Sequence, residues 1–396
     1  MRITSFKYLK RGRILTLTIV LTISSMLFSM TLFSLLGFYR GLGAYLGEEE
    51  SIIVVYDRKS RTPFTGLTPA FLAEKIKGVN GVLVCSPEVI VPCAIRGETV
   101  FLRGVIPKEF AEISRLTIID GSMLESEDLN HAIAGRGVAE RIGLRVGSRM
   151  LVVSVLSDVC LELKIRGIFE SGSILDDEII APLHVGQWLR GTDYNHVTII
   201  RAKVNAKADV REEILGAIAE EASKPSQSGS LKPPSQPTTL WSRTTFRIED
   251  INVGEARKFM ENYMERYGVT RESIIILSAT TLFFSGVTVA LAVEALLTQH
   301  KGEIEILRSL GASRRLLKSD ILLKLTPISL AALAIGVALA AALLSIIKQR
   351  GLLQVLSHNA PLQIDQAAII ISLMATLAIV FMVINLKLNL NKKIFN

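Results

Sequence analysis

The residues able to do chemistry are few and poorly assembled for it. Five histidines, His131, His184, His196, His300 and His358, are scattered without metal-ligand spacing, and there is no H-E-x-x-H segment. No glycine is followed by lysine, so a phosphate-cradling loop of the G-x-x-x-x-G-K-[ST] type cannot be built. G-x-S-x-G, the turn that presents a serine nucleophile, is absent. Two acidic triplets, Glu48-Glu49-Glu50 and Asp176-Asp177-Glu178, read as solvated turns rather than metal sites. The expectation is a non-catalytic chain with no catalytic, cofactor-binding or metal-ligating residue of its own.

What remains is a charged segment whose chemistry is recognition. Residues 301–315 separate two apolar runs, Ser273–Val293 and Leu325–Ile347, and are too polar to enter a bilayer. Ile304, Leu307, Leu310 and Gly311 fall at i, i+3, i+6 and i+7 and so line one face of a short helix. Glu303, Glu305 and Arg308 occupy the rest, with Glu305 and Arg308 spaced to pair. Gly311 suits the left-handed position that ends a helix, followed by Ala312. Ser313 can cap the next helix, which begins with Arg314 and Arg315. The segment predicts a rigid elbow with an apolar stripe, able to take a push from a soluble partner.

The elements that hold this elbow are apolar throughout. Hydrophobic residues make up 49% of the 396, and mean hydropathy is +0.41. Ile14–Tyr39, Ser273–Val293, Leu325–Ile347 and Gln366–Leu386 contain no Asp, Glu, Lys or Arg, and each reaches the roughly 20 residues a helix needs to cross a bilayer. The first run, with its basic leader, could be a cleaved signal peptide, but its length favours a retained anchor. The net charge of +8 does not point to nucleic acid, because the cations cluster at the ends of these runs. Arg2, Lys7, Lys10, Arg11 and Arg13 precede the first, the elbow lies between the second and third, and Lys387, Lys392 and Lys393 follow the fourth. The positive-inside rule then places both termini and the elbow in the cytoplasm of a multi-pass cell-membrane protein. No charged residue lies deep in a run, which argues against ion-coupled transport.

The predicted fold is therefore an α-helical membrane protein with four transmembrane helices plus a mixed α+β extracytoplasmic domain between the first and second. In order, the expectation is a cytoplasmic N-terminus over 1–13, spans at 14–39, 273–297, 322–347 and 366–387, and a cytoplasmic C-terminus over 388–396. The outer domain takes 40–222, a Pro/Ser-rich linker 223–240, and a stalk helix 241–272, where Val253, Ala256, Met260, Tyr263 and Tyr267 recur at helical spacing. The elbow occupies 298–321 and an outer loop 348–365. Within the outer domain, Thr68-Pro69 reads as the opening of a helix ending near Gly78. Gly81–Ile95 reads as a strand that Pro87 and Pro92 would confine to edges or bulges. Cys85 and Cys93 are expected as buried thiols, with a bridge between them the alternative. Ala332, Gly336 and Ala340 repeat every fourth residue, a small-residue stripe that permits close helix contact.

Glu303–Ser313 resembles the coupling-helix signature of the FtsX/MacB-like permeases of ABC transporters. Gly135–Gly147, Ile165–Phe169 and Ile180–Leu183 look, more loosely, like the extracytoplasmic domain of that family. The resemblance implies a permease subunit, paired as a homodimer or with a similar permease, embedded in membrane lipid and bound to ABC-type ATPase subunits that carry the ATP. In that family the coupling helix docks on the ATPase, so the apolar Ile304, Leu307 and Leu310 would fill its cleft. Glu303, Glu305, Arg308, Arg314 and Arg315 would set register. The implied work is export or extraction of a lipophilic, peptide or lipoprotein-like substrate through movement of the outer domain. Two alternatives keep the architecture: mechanotransmission to an extracellular cell-wall hydrolase, and an ATP-independent membrane receptor or scaffold.

Overall fold

The computed structural model describes residues 11–43, 45–47, 49, 51–60, 62, 64–205, 210–223, 250–266, 270–299, 301–349, 354–355, 358–359 and 366–390. The expected linker beyond Ser223, the cations before Arg11 and after Leu390, Glu48, Glu50, Tyr267 and His300 lie outside the described residues. The chain divides into two units. One comprises Met1–Tyr39, Thr270–Leu352 and Leu362–Asn396; the other comprises Arg40–Val269 and Leu353–Pro361 and is called the interspan domain below.

Helix α1 (Arg11–Gly43) leads from the first unit into the interspan domain. There follow β1 (Ile52–Asp57), β2 (Thr68–Pro69), α2 (Leu72–Lys77), β3 (Val82–Ile95), β4 (Glu98–Val105), α3 (Pro107–Ile113), β5 (Thr117–Gly121), β6 (His131–Gly135) and α4 (Arg136–Ile142). The domain continues through β7 (Arg149–Ser154), β8 (Cys160–Glu170), β9 (Glu178–Pro182), α5 (Leu183–Arg190), β10 (His196–Val197), β11 (Ile199–Val204), α6 (Val210–Ser223), β12 (Ile251–Glu255) and α7 (Ala256–Arg266). Two short strands, β13 (Gln354–Val355) and β14 (His358–Asn359), pair with each other. The main sheet runs β12-β1-β11-β3-β4-β9-β6-β8-β5, with β7 set against β3 and β8. Among the described residues, β4–β9 and β6–β8 are the parallel pairs.

Helices cover both faces of this sheet, which is why its central strands are apolar on both sides. Cys85, Val89, Val91 and Cys93 of β3 pack on one face with α2, α4, α5 and α6. Ile90 of the same strand packs on the other with Phe110 of α3 and Met260 of α7. Strand β3 is thus central, contrary to the expectation from its prolines. Pro87 precedes the first β4 pair, Glu88↔Val105, and Pro92 falls between the β11 partner run, which ends at Glu88, and the β7 run, which starts at Cys93. Each proline sits where the ladder on one flank is interrupted, so the missing N–H breaks nothing.

Two further segments differ from expectation. Thr68-Pro69 pairs with β10 instead of opening a helix, and α2 begins at Leu72. Between β10 and β11, Thr198 Oγ1 accepts from Ile90 N at 2.9 Å. Val253 is in a strand, opposite Val55 of β1, so the helical run starts at Ala256. The alternating burial of Ile251 and Val253 has period two, and the edge of β1 offers their backbone a ladder.

In the other unit, α8 (Arg271–Gln299), α9 (Lys301–Ser309), α10 (Arg314–Gln349) and α11 (Gln366–Leu390) join α1. Four stretches, Ile14–Tyr39, Glu272–Ala295, Leu325–Ile347 and Gln366–Val383, are helical, long and apolar enough to cross a membrane. Leu17, Leu21, Val289, Val293, Leu325, Leu333 and Val380 form their common core. The small-residue stripe serves α10 against α1: a Cβ on Gly336 would stand 2.6 Å from Thr22 O. This close approach lets Thr22 Oγ1 donate to Ala332 O at 3.3 Å and Ser25 Oγ to Leu333 O at 3.1 Å. Ser29 and Ser372 join α1 to α11 through their hydroxyls at 2.6 Å. Apolar side chains supply no hydrophobic drive inside a bilayer, so close packing and these bonds hold the helices together. The protein is a four-span membrane protein with a mixed α/β domain between its first and second spans.

Candidate functional site

Helix α9 is nine residues long and stops where Gly311 turns to φ 92°, a conformation that disfavours any residue with a Cβ. Leu310 N donates to Ile306 O and Ala312 N to Leu307 O, both at 3.2 Å, closing the helix end. Ser313 Oγ then accepts from Leu316 N at 3.3 Å, capping α10. Residues 310–313 are all that separate the two helices.

The two sides of α9 have different uses. Leu307 is half-buried and packs, with Ala312, on the bundle core around Leu17, Val293 and Leu325. Ile306 is 62% and Leu310 78% exposed, one helical turn apart, with Glu305 and Ser309 exposed beside them. Glu305 pairs with Lys301 at 3.8 Å. The side chains of Glu303, Ile304, Arg308, Arg314 and Arg315 lie outside the described residues, and with them the expected Glu305–Arg308 pair. Of the expected apolar face, Leu307 packs against its own bundle and Leu310 is exposed; Ile306, which the spacing did not include, is exposed one turn before Leu310. Covering Ile306 and Leu310 with a partner would contribute about 1.5–3 kcal/mol per side chain.

A second cluster lies inside the interspan domain. Period-two alternation puts Glu88 of β3, Arg103 of β4, Glu178 of β9 and Arg201 of β11 on the sheet face that carries Ile90, Phe101, Ile180 and Ile199. All four are buried. Arg103 donates from Nη1 to Glu88 Oε2 at 2.6 Å and from Nε to Glu178 Oε2 at 2.7 Å. Arg201 donates from Nε to Glu88 Oε1 at 2.5 Å, from Nη2 to Ser114 Oγ at 2.7 Å and from Nη1 to Leu46 O at 3.1 Å. Tyr45 donates its hydroxyl to Glu178 Oε1, and its ring lies 4.8 Å from the Arg103 guanidinium. Two cations and two anions balance, and each is held by more than one bond, the condition under which buried charge is tolerable.

Electrostatics follow burial. Desolvation, reinforced by Glu178, pushes the Tyr45 phenol well above its ordinary value. Desolvation would depress Arg103, but Glu178, Tyr45 and Glu88 carry it above its usual value. Arg201 is shifted down by burial, against the pull of Glu88. By its bonds, the cluster is a clamp. It fastens Tyr45 and Leu46, which follow directly on α1, to four strands of the sheet.

The sequence reading of Asp176-Asp177-Glu178 as a solvated turn is corrected here. Glu178 is at the centre of the clamp, and Asp177 is buried with Arg141 Nη1 at 3.4 Å. Asp176 accepts from Ser171 Oγ and Gly172 N. Among the described residues, no group of three or more His, Cys, Asp or Glu could hold a metal. Cys85 and Cys93 are separate buried thiols on the single strand β3, roughly 26 Å apart at strand rise.

Residues 275–392, which contain α9 and three of the four spans, match the FtsX-like permease C-terminal family. No curated relative matches the chain in sequence. Among solved structures, the periplasmic region of MacB from Actinobacillus actinomycetemcomitans is similar at 10% identity and TM-score 0.36, covering 54% of this chain and 92% of that one. The extracellular domain of the noncanonic ABC-type transporter YknZ from Gram-positive bacteria is similar at 16% identity and TM-score 0.32, covering 42% and 88%. The segment that holds the elbow and the spans on either side of it is thus similar to the FtsX-like permease C-terminal family.

Proposed function

We propose that this chain is a permease subunit through which a separate ABC-type ATPase moves the interspan domain, exporting or extracting a lipophilic, peptide or lipoprotein-like substrate. The termini and the elbow face the cytoplasm and the interspan domain faces outward, in keeping with the distribution of Lys and Arg. The functional unit is two permeases, alike or similar, with two ATPase chains.

The observation that carries this reading is the divided surface of α9. Leu307 and Ala312 lock it to the bundle core, while Ile306 and Leu310 project an apolar pair that its own chain leaves uncovered. A helix held rigidly on one side and sticky on the other converts a partner's movement into movement of the spans. The clamp at Tyr45 and Leu46 supports the second half of the path, because movement of the segment after α1 cannot be absorbed locally. The same rigidity suits mechanotransmission to an extracellular hydrolase, which differs in what the domain acts upon.

Extraction of the full chain from its native membrane in mild detergent, with identification of the chains that accompany it, tests the reading. An ATPase carrying a phosphate-binding loop is expected in equal amount. Recovery of the chain alone would favour an ATP-independent receptor or scaffold.

A further inference from the structure

A cleft of about 170 Å³ opens in the interspan domain where β1, β12 and α7 meet. Its walls combine two guanidinium groups, Arg58 and Arg266, with the amides of Asn252 and Asn262 and the rings of Tyr56 and Phe259. Tyr56 and Phe259 lie 4.0 Å apart between centroids, and Asn252 Nδ2 donates to Tyr56 Oη at 3.2 Å, so one wall is fixed. Among the described residues, no Asp or Glu lines it.

Of the nearby acids, Glu265 is exposed on α7 and does not line the cleft, and the others are engaged. Asp250 is paired with Lys59, Asp57 accepts from Lys59 N, Glu255 is paired with Lys258 and Glu261 with Arg257. Arg58 and Arg266 make no ion pair among the described residues, and both are exposed. Two permanent cations facing one cleft with neutral amide donors and no acid form a site short of negative charge. A cationic ligand would be repelled there, and a purely apolar one would strand the donors. An anion with several acceptor oxygens satisfies both guanidinium forks at once.

We infer that this cleft binds a phosphate group carried on a polar head, the chemistry shared by an anionic phospholipid headgroup and a soluble phosphate ester. The covalent chain favours the lipid as the source to test first. Arg266 precedes Glu272, where the second candidate span begins, by six residues in the sequence. The volume admits a headgroup and excludes a folded peptide segment. Occupied, the site would tie α7, the last helix before that span, to strand β1 through the bound anion.

The test uses the full chain in a non-ionic detergent, titrated calorimetrically with dihexanoyl phosphatidylglycerol, dihexanoyl phosphatidylcholine and inorganic phosphate. Phosphatidylglycerol is expected to bind at least ten-fold tighter than phosphatidylcholine. The double variant Arg58→Gln with Arg266→Gln is expected to lose ten-fold or more in that affinity, while Lys258→Gln, outside the cleft, keeps the wild-type value. Inorganic phosphate binding as tightly as the lipid would support the anion site and assign it to a soluble ligand; weaker binding would assign it to the headgroup. Both arginines are exposed, so their replacement leaves the core intact. Wild-type affinity in the double variant, or no preference for the anionic lipid and no binding of phosphate, would overturn the proposal. Neither result depends on an ATPase being bound.

Discussion

Arg103 and Glu178 meet in the interior of the interspan domain, the arginine's Nε donating to Oε2 at 2.7 Å with both side chains excluded from water. The bond joins β4 to β9 across the parallel pair of the sheet, where Phe101 is opposite Glu178. Because Arg103 also serves Glu88, one guanidinium holds two carboxylates that would otherwise repel each other without solvent.

Arg103→Met leaves Glu178 buried without its cation and Glu88 with Arg201 alone. A loss of about 3–5 kcal/mol is expected, the usual result of removing one partner from a buried pair. Urea unfolding of the full chain in detergent, followed through the β-sheet circular dichroism, measures it. A loss below about 1 kcal/mol would show that the pair contributes little to the fold.

The thiols of Cys85 and Cys93 are each pushed up by burial, from an ordinary 9.0 to about 12. Above pH 9 the unfolded chain releases thiol protons that the folded domain keeps. Stability is therefore fully present below pH 9 and falls as pH rises toward 12. At pH 8, maleimide is expected to label exposed Cys160 alone, with Cys85 and Cys93 reacting only after denaturation. Rapid labelling of all three in the folded chain would contradict the assignment.

Gly336 brings α10 onto α1 closely enough that a Cβ would strike Thr22 O at 2.6 Å and the Ser25 Cβ at 2.8 Å. Gly336→Leu is expected to separate the helices and break the Thr22–Ala332 and Ser25–Leu333 bonds, at a cost of about 1–3 kcal/mol. A cross-linking series between cysteines placed at Ser25 and Leu333 would show the gap. Unchanged cross-linking in the leucine variant would mean that α1 and α10 do not pack through this glycine.

Features that depend on neighbours in the chain were legible before the structure. The four spans, the stop at Gly311 and the cap at Ser313 follow from local composition and spacing. The buried clamp was not, because Glu88, Arg103, Glu178 and Arg201 come from four separate strands. Only the strand order and register bring them to one point, and an acidic triplet such as Asp176-Asp177-Glu178 looks solvent-facing until that register is known. Strand β3 was misjudged for a related reason: Pro87 and Pro92 argue for an edge unless the partner strands change beside them. On α9, periodicity found the amphipathic helix but could not say which of its apolar residues its own bundle would cover. Leu307 is packed there, while Ile306 and Leu310 are exposed.

That division of α9 gives the most direct test of the proposed coupling. The full chain carrying Ile306→Asp and Leu310→Asp should insert in the membrane as the wild type does, since both side chains are exposed. ATPase co-purifying with it in mild detergent, measured as nucleotide hydrolysis per permease, is expected to fall at least ten-fold. Retention of the wild-type amount of ATPase by this variant would contradict the account.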